Sequence, residues 1–138
     1  MRAPAILWVD GGVKVLFVGL LAFGVFDVLG NTFDLYDTIT WWDDLNHFVN
    51  WGLLSLAIGL LVLRFRLPAP ATFALVVGMG AVAAILWELG EYVAFIRNSD
   101  ELDTAYEDTL GDMLLGLSGS TVAAVATATV AMRATGIR

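Results

Sequence analysis

The stretch Ala71-Thr-Phe-Ala-Leu-Val-Val-Gly-Met-Gly-Ala-Val-Ala-Ala-Ile-Leu-Trp87, followed at once by Glu88-Leu-Gly-Glu91-Tyr-Val-Ala-Phe95, decides the fold. A helix needs roughly 20 mostly apolar residues to cross a hydrocarbon layer of about 30 Å. Ala71–Trp87 carries no charge, and two glutamates then appear in the final turns. Such a segment reads as a transmembrane helix with an acidic end. Three other stretches meet the same requirement: Val13–Leu29, Leu45–Leu63 and Thr109–Met132. Their links are short, which predicts an all-α bundle of four transmembrane helices with antiparallel neighbours, a single domain over residues 1–138. Pro68 and Pro70 are expected to break the chain between Arg66 and Ala71. Gly30-Asn31 is expected to end the first helix. Asp10, Gly11, Gly12 and Lys14 interrupt the apolar run near the start, and no A-x-A site follows. That pattern is unlike a cleavable signal, so the first helix is expected to be retained.

Composition agrees. Of 138 residues, 59% are apolar and only 15% charged, against about 45–50% and about 25% in soluble domains. The mean hydropathy is +0.80. A net charge of −7 gives nucleic acid no electrostatic footing. The absence of cysteine removes disulfides, thiolate metal sites and cysteine nucleophiles, and a single histidine removes any His-rich metal site.

Basic residues set the orientation. Arg2 and Lys14 precede the first helix, Arg64 and Arg66 lie between the second and third, and Arg133 and Arg138 follow the fourth. Six of the seven positive charges thus share one side, with Arg97 alone opposite. Both termini are therefore expected in the cytoplasm of a multi-pass cell-membrane protein. Asp34, Asp37, Asp100, Glu101, Asp103 and Glu107 fall outside.

This topology brings the intramembrane acids to one level. Asp44 and His47 open the second helix, Glu88 and Glu91 close the third, and Asp108 and Asp112 open the fourth. At 1.5 Å per residue, all lie within roughly 5–7 Å of the outer boundary. The pairs are spaced i,i+3, i,i+3 and i,i+4, so each projects from one side of its helix. Ionisable side chains inside a membrane normally face the bundle interior or a watery cavity. Five carboxylates against one imidazole then need shared protons or bound cations. Carboxylate oxygens with one imidazole suit a divalent Mg, Ca, Mn, Fe or Zn ion at Asp44, His47, Glu88, Glu91, Asp108 and Asp112, and the choice among them stays open. Plainer readings stand beside this one. Asp43, Asp44 and Asp108 suit helix caps, Asp27 a headgroup boundary, and Trp41, Trp42 and Trp51 an interfacial belt. Gly116-x-x-x-Ser120 and Ser120-x-x-x-Ala124 suit close helix packing.

Asp44-Leu-Asn-His47-Phe48, Trp87-Glu88-Leu-Gly-Glu91 and Asp108-Thr109-Leu-Gly-Asp112-Met113 resemble the three signature stretches of the YjdF-type bacterial inner-membrane proteins. The first is also similar to the D-x-x-H-F element of VanZ-like proteins. The resemblance implies a compact polytopic membrane protein and brings no reaction with it.

Three functional readings follow from the residues. The first is a metal-dependent hydrolase or transferase acting on a lipid or lipid-linked substrate at the extracytoplasmic side, with Glu88 or Glu91 as catalytic base. The second is a non-catalytic accessory subunit, held in a homo-oligomer or a membrane complex among its lipids. The third, an ion or metal transporter, has least in its favour, because Gly52–Leu63, Ala71–Leu86 and Met113–Met132 contain no charged residue. Cysteines introduced at Asp37 and Asp103 are expected to label from outside intact cells, and one at Arg66 is not. Outside labelling at position 66 would invert the topology.

Overall fold

The computed structural model describes residues 5–135. Arg2 and Arg138, which enter the orientation argument, lie outside the described residues. The chain forms α1 (Ala5–Thr32), a one-turn helix α2 (Leu35–Thr38), α3 (Trp42–Leu63), α4 (Ala69–Ala94) and α5 (Ala105–Thr135). Two short 3-10 turns, Ile96–Asn98 and Asp100–Asp103, link α4 to α5. No strand occurs among the described residues. Four helices are long and apolar enough to cross a membrane: Ile6–Thr32, Trp42–Leu63, Ala69–Asn98 and Ala105–Ala134.

Each helix extends past the span that hydropathy outlines, for local reasons. In α1, Asp10 and Lys14 form an i,i+4 ion pair of 2.7 Å, so opposite charges one turn apart continue the helix through the point where the apolar run is interrupted. At its other end the helix runs through Gly30 and Asn31 to Thr32. The expected Gly30-Asn31 stop is thus corrected. Gly30 instead lets aromatic rings come close, since a Cβ there would overlap the Tyr36 ring and touch Trp42 Nε1 at 2.9 Å. Asn31 donates back to the Asp27 carbonyl at 2.9 Å and to its carboxylate at 3.1 Å. The chain turns at Asp34, whose φ of 52° is left-handed. Pro68 flanks the start of α4 and Pro70 lies in its first turn, where a missing N–H costs nothing.

The central element is α3, which packs against α1, α4 and α5. Lipid offers no hydrophobic drive for helix association, so close van der Waals approach and polar contacts must supply it. The buried set is accordingly rich in small residues: Ala57, Ala84, Ala123, Ala124, Ala131, Ser55, Ser120 and Thr127. Where α3 crosses α5, Gly52 meets Gly119 backbone to backbone. A Cβ on Gly119 would strike the Phe48 carbonyl oxygen and stand 3.0 Å from the Gly52 nitrogen. One turn further in, Ser55 Oγ and Ser120 Oγ are joined at 2.8 Å, both wholly buried. The small face of α5 expected from Gly116, Ser120 and Ala124 therefore packs on α3. Trp51 departs from the interfacial belt: it is 9% exposed and lies against Gly116, because its position on α3 faces the helix junction. Trp41, 56% exposed, keeps to the periphery.

Gly119→Ala is expected to destabilise the fold by about 1–3 kcal/mol, the usual cost of forcing a methyl into a filled junction. Gly78→Ala, with open space around its Cβ position, is expected to be neutral or slightly stabilising. Reversible unfolding in mixed micelles measures both. Equal effects would contradict the Gly52–Gly119 crossing.

Candidate metal centre

Three helices converge at the end of the bundle where α3 and α5 begin and α4 ends. His47 lies about 7–8 Å along α3 from its first residue, Glu88 about 9 Å from the end of α4, and Asp112 about 10 Å from the start of α5. Antiparallel packing therefore sets the three side chains in one layer, inside the membrane-crossing segments. All three are buried: His47 is 7% exposed, Glu88 5% and Asp112 5%.

The imidazole is the hub. Nδ1 stands 3.6 Å from Glu88 Oε1. Nε2 stands 3.6 Å from Asp43 Oδ1 and 3.7 Å from Asp112 Oδ1. Two groups of potential ligands share it, Asp43–His47–Asp112 and His47–Glu88–Glu91, with the ligand atoms of each within 4.8 Å of one another. Separations near 3.6 Å are too long for hydrogen bonds. They do match the spacing of two atoms bound to one cation, since ligands held at about 2.0–2.6 Å from a metal lie about 3–5 Å apart. Beside Glu88, Trp87 packs edge-on against Phe23 of α1 with ring centroids 4.8 Å apart.

Several buried polar atoms here have no protein hydrogen-bond partner: His47 Nδ1, Glu88 Oε1, Asn46 Nδ2 and Oδ1, and Asn50 Oδ1. Buried polar groups normally find partners, and each that does not calls for an explanation. A cation among the carboxylates would meet the unpartnered oxygens, though not Asn46 Nδ2, so the ligand set could hold a divalent metal.

Of the residues that the sequence nominates, His47, Glu88, Glu91 and Asp112 come together. Asp44 and Asp108 do not join either group and are exposed. The reason for Asp44 is rotational. On α3 the i,i+3 and i,i+4 neighbours of His47 lie on either side of it, and the packing of α3 turns the Asp43 side inward. Asp108 sits in the first turn of α5, near the mouth, whereas Asp112 is one turn deeper. Neither Asp43 nor Asp108 is a helix cap, since α3 begins at Trp42 and α5 at Ala105. Asp27 stays exposed, bonded to Asn31. Sequence reasoning missed Asn50 and undervalued Asp43 and Asn46. The available signal was the spacing: Asp43, Asn46, His47 and Asn50 are i, i+3, i+4 and i+7, one polar face on an otherwise apolar helix.

Fold and cluster together define a polytopic membrane protein with a buried His/Asp/Glu group near one end of its helical bundle. The chain belongs to the predicted membrane protein family DUF2238, whose sequence model matches residues 12–133. No curated protein and no solved structure matches it.

Removing the hub leaves the Glu88 and Asp112 carboxyl groups buried without a counterpart. His47→Ala is therefore expected to lower stability by about 1–3 kcal/mol. Asp44→Ala and Asp108→Ala, both at exposed positions, are expected to change it by less than about 0.5 kcal/mol. Denaturant unfolding in micelles compares the three, and a ranking with Asp44 or Asp108 above His47 would overturn the assignment of the hub.

Proposed function

We propose that the cluster is a divalent-cation site at the extracytoplasmic end of the bundle and that it serves hydrolysis or group transfer on a lipid or lipid-linked substrate in the outer leaflet. The observation that carries the reading is the imidazole held between two carboxylate pairs at ligand spacing. A bound cation would supply positive charge that polarises a phosphoryl or acyl oxygen and acidifies water. The remaining work falls to the chain. Whichever ring nitrogen binds the cation, the other is left to donate its proton to the opposite carboxylate pair, which fixes the tautomer and the ring orientation. Glu91 is half-buried and nearer the end of α4 than Glu88. It suits the role of base, accepting a proton from water at the mouth, while Glu88 is enclosed and suits a ligand. The placement outside the cytoplasm rests on the distribution of basic residues.

The inner half of the bundle favours a one-sided site over a transport route. Ser55 and Ser120 bond to each other, and Thr127 bonds to the carbonyls of Ala123 and Ala124. These hydroxyls are satisfied within the packing rather than left free to line a polar path.

A protein that binds a cation only when folded is stabilised by it through mass action. Chelator is expected to lower the melting temperature of the purified wild type, and re-added cation to restore it. His47→Ala and Asp112→Asn are expected to respond to neither treatment. Absence of stoichiometric metal, with identical melting with and without chelator, would overturn the cation reading and leave the accessory-subunit role in its place.

A further inference from the structure

The polar face of α3 continues past the acidic cluster. Asn46 is 6% exposed and Asn50 4%, and the Oδ1 atoms of both, with Nδ2 of Asn46, have no protein partner. Neither carboxamide is satisfied across the neighbouring helix. The stripe of α3 that carries them goes on through Leu53, Leu54, Ala57 and Leu61, which lie against Gly19 and Gly12 of α1. Where α1 is half-buried near its outer end it presents Ala22, Phe23 and Phe26, which offer no side-chain donor or acceptor. The polar neighbours of the two carboxamides are on their own face: residues three and four apart on a helix have Cβ atoms about 5–6 Å apart. Asn46 thus adjoins Asp43 and Asn50, and Asn50 adjoins His47.

The unpartnered atoms include three acceptors (the two amide oxygens and Glu88 Oε1), one imidazole nitrogen, and two donors, Asn46 Nδ2 and Trp42 Nε1. The three oxygens are buried without any protein donor, and a cation meets acceptors of this kind directly. We infer that Asn46 and Asn50 contribute their carboxamide oxygens to the cation bound at His47, which makes this a site for a hard, oxygen-preferring divalent ion of the manganese class. The inference rests on the cation reading above. One carboxylate pair and the two asparagines then offer oxygen from four residues, and the imidazole offers one nitrogen. Carboxylate and carbonyl ligands suit Mg, Ca and Mn, while zinc favours four ligands richer in imidazole or thiolate. Manganese fits best within the hard group because it accepts the single imidazole. The two asparagines extend the oxygen shell without adding charge to a cluster that already holds four carboxylates.

Competition between Mn²⁺ and Zn²⁺ for the purified full chain tests this, with free Mn²⁺ read by electron paramagnetic resonance. In Asn46→Leu/Asn50→Leu the affinity for Mn²⁺ is expected to fall about tenfold or more and that for Zn²⁺ far less, because raw affinity already favours zinc once the oxygen shell is thinned. Asn46→Asp/Asn50→Asp keeps the oxygens and is expected to retain Mn²⁺ binding. Melting in chelator separates ligation from structure: the leucine variant is expected to be at least as stable as wild type without metal, since it removes unpaired buried polar atoms. An unchanged ratio of Mn²⁺ to Zn²⁺ affinity in the leucine variant would overturn the inference and leave the cation site standing, as would an aspartate variant that binds no Mn²⁺ while folded. A wild type that binds neither ion would overturn both.

Discussion

A charge inside hydrocarbon must be met by protein groups, and in this chain one imidazole meets four carboxylates. His47 lies between the Asp43–Asp112 and Glu88–Glu91 pairs, and the rest of the architecture follows from bringing them there. It requires α3 in the middle of the bundle, because only a helix touching α1, α4 and α5 can bury a polar face on several sides at once. It also requires close approach, which the Gly52–Gly119 crossing and the Ser55–Ser120 bond provide below the cluster. Bulkier residues at those points would hold α5 away from α3, and Asp112 with it.

Much of this was legible in the sequence because membrane proteins obey few and strong rules. The four spans follow from apolar length, and Glu88, Glu91, His47 and Asp112 stand out as costly residues within them. Helix ends were less legible. An i,i+4 ion pair at Asp10–Lys14 and the glycine at position 30 look like interruptions in a hydropathy trace, yet the helix passes through both. Rotation of each helix was least legible. Whether Asp43 or Asp44 joins His47 depends on a turn of α3 by less than one residue, and that turn is set by packing on α5 rather than by spacing. Trp51 shows the same limit: near the start of a span it reads as an interfacial anchor, while its azimuth makes it core.

Asn46 and Asn50 carry a related lesson. A neutral amide costs less in a membrane than a carboxylate and attracts less notice in a sequence. Buried and unpartnered next to the cluster, the same groups extend the acceptor surface into the bundle. The polar cluster is thus wider than its charges.

The central claim is that His47 binds a cation through a ring nitrogen. Because the chain has a single histidine, labelling histidine with ¹⁵N reports on that ring alone. Pulsed electron paramagnetic resonance of the Mn²⁺-loaded, labelled protein is expected to show a directly coordinated ¹⁵N nucleus. A spectrum showing Mn²⁺ coupled only to water protons would contradict the account.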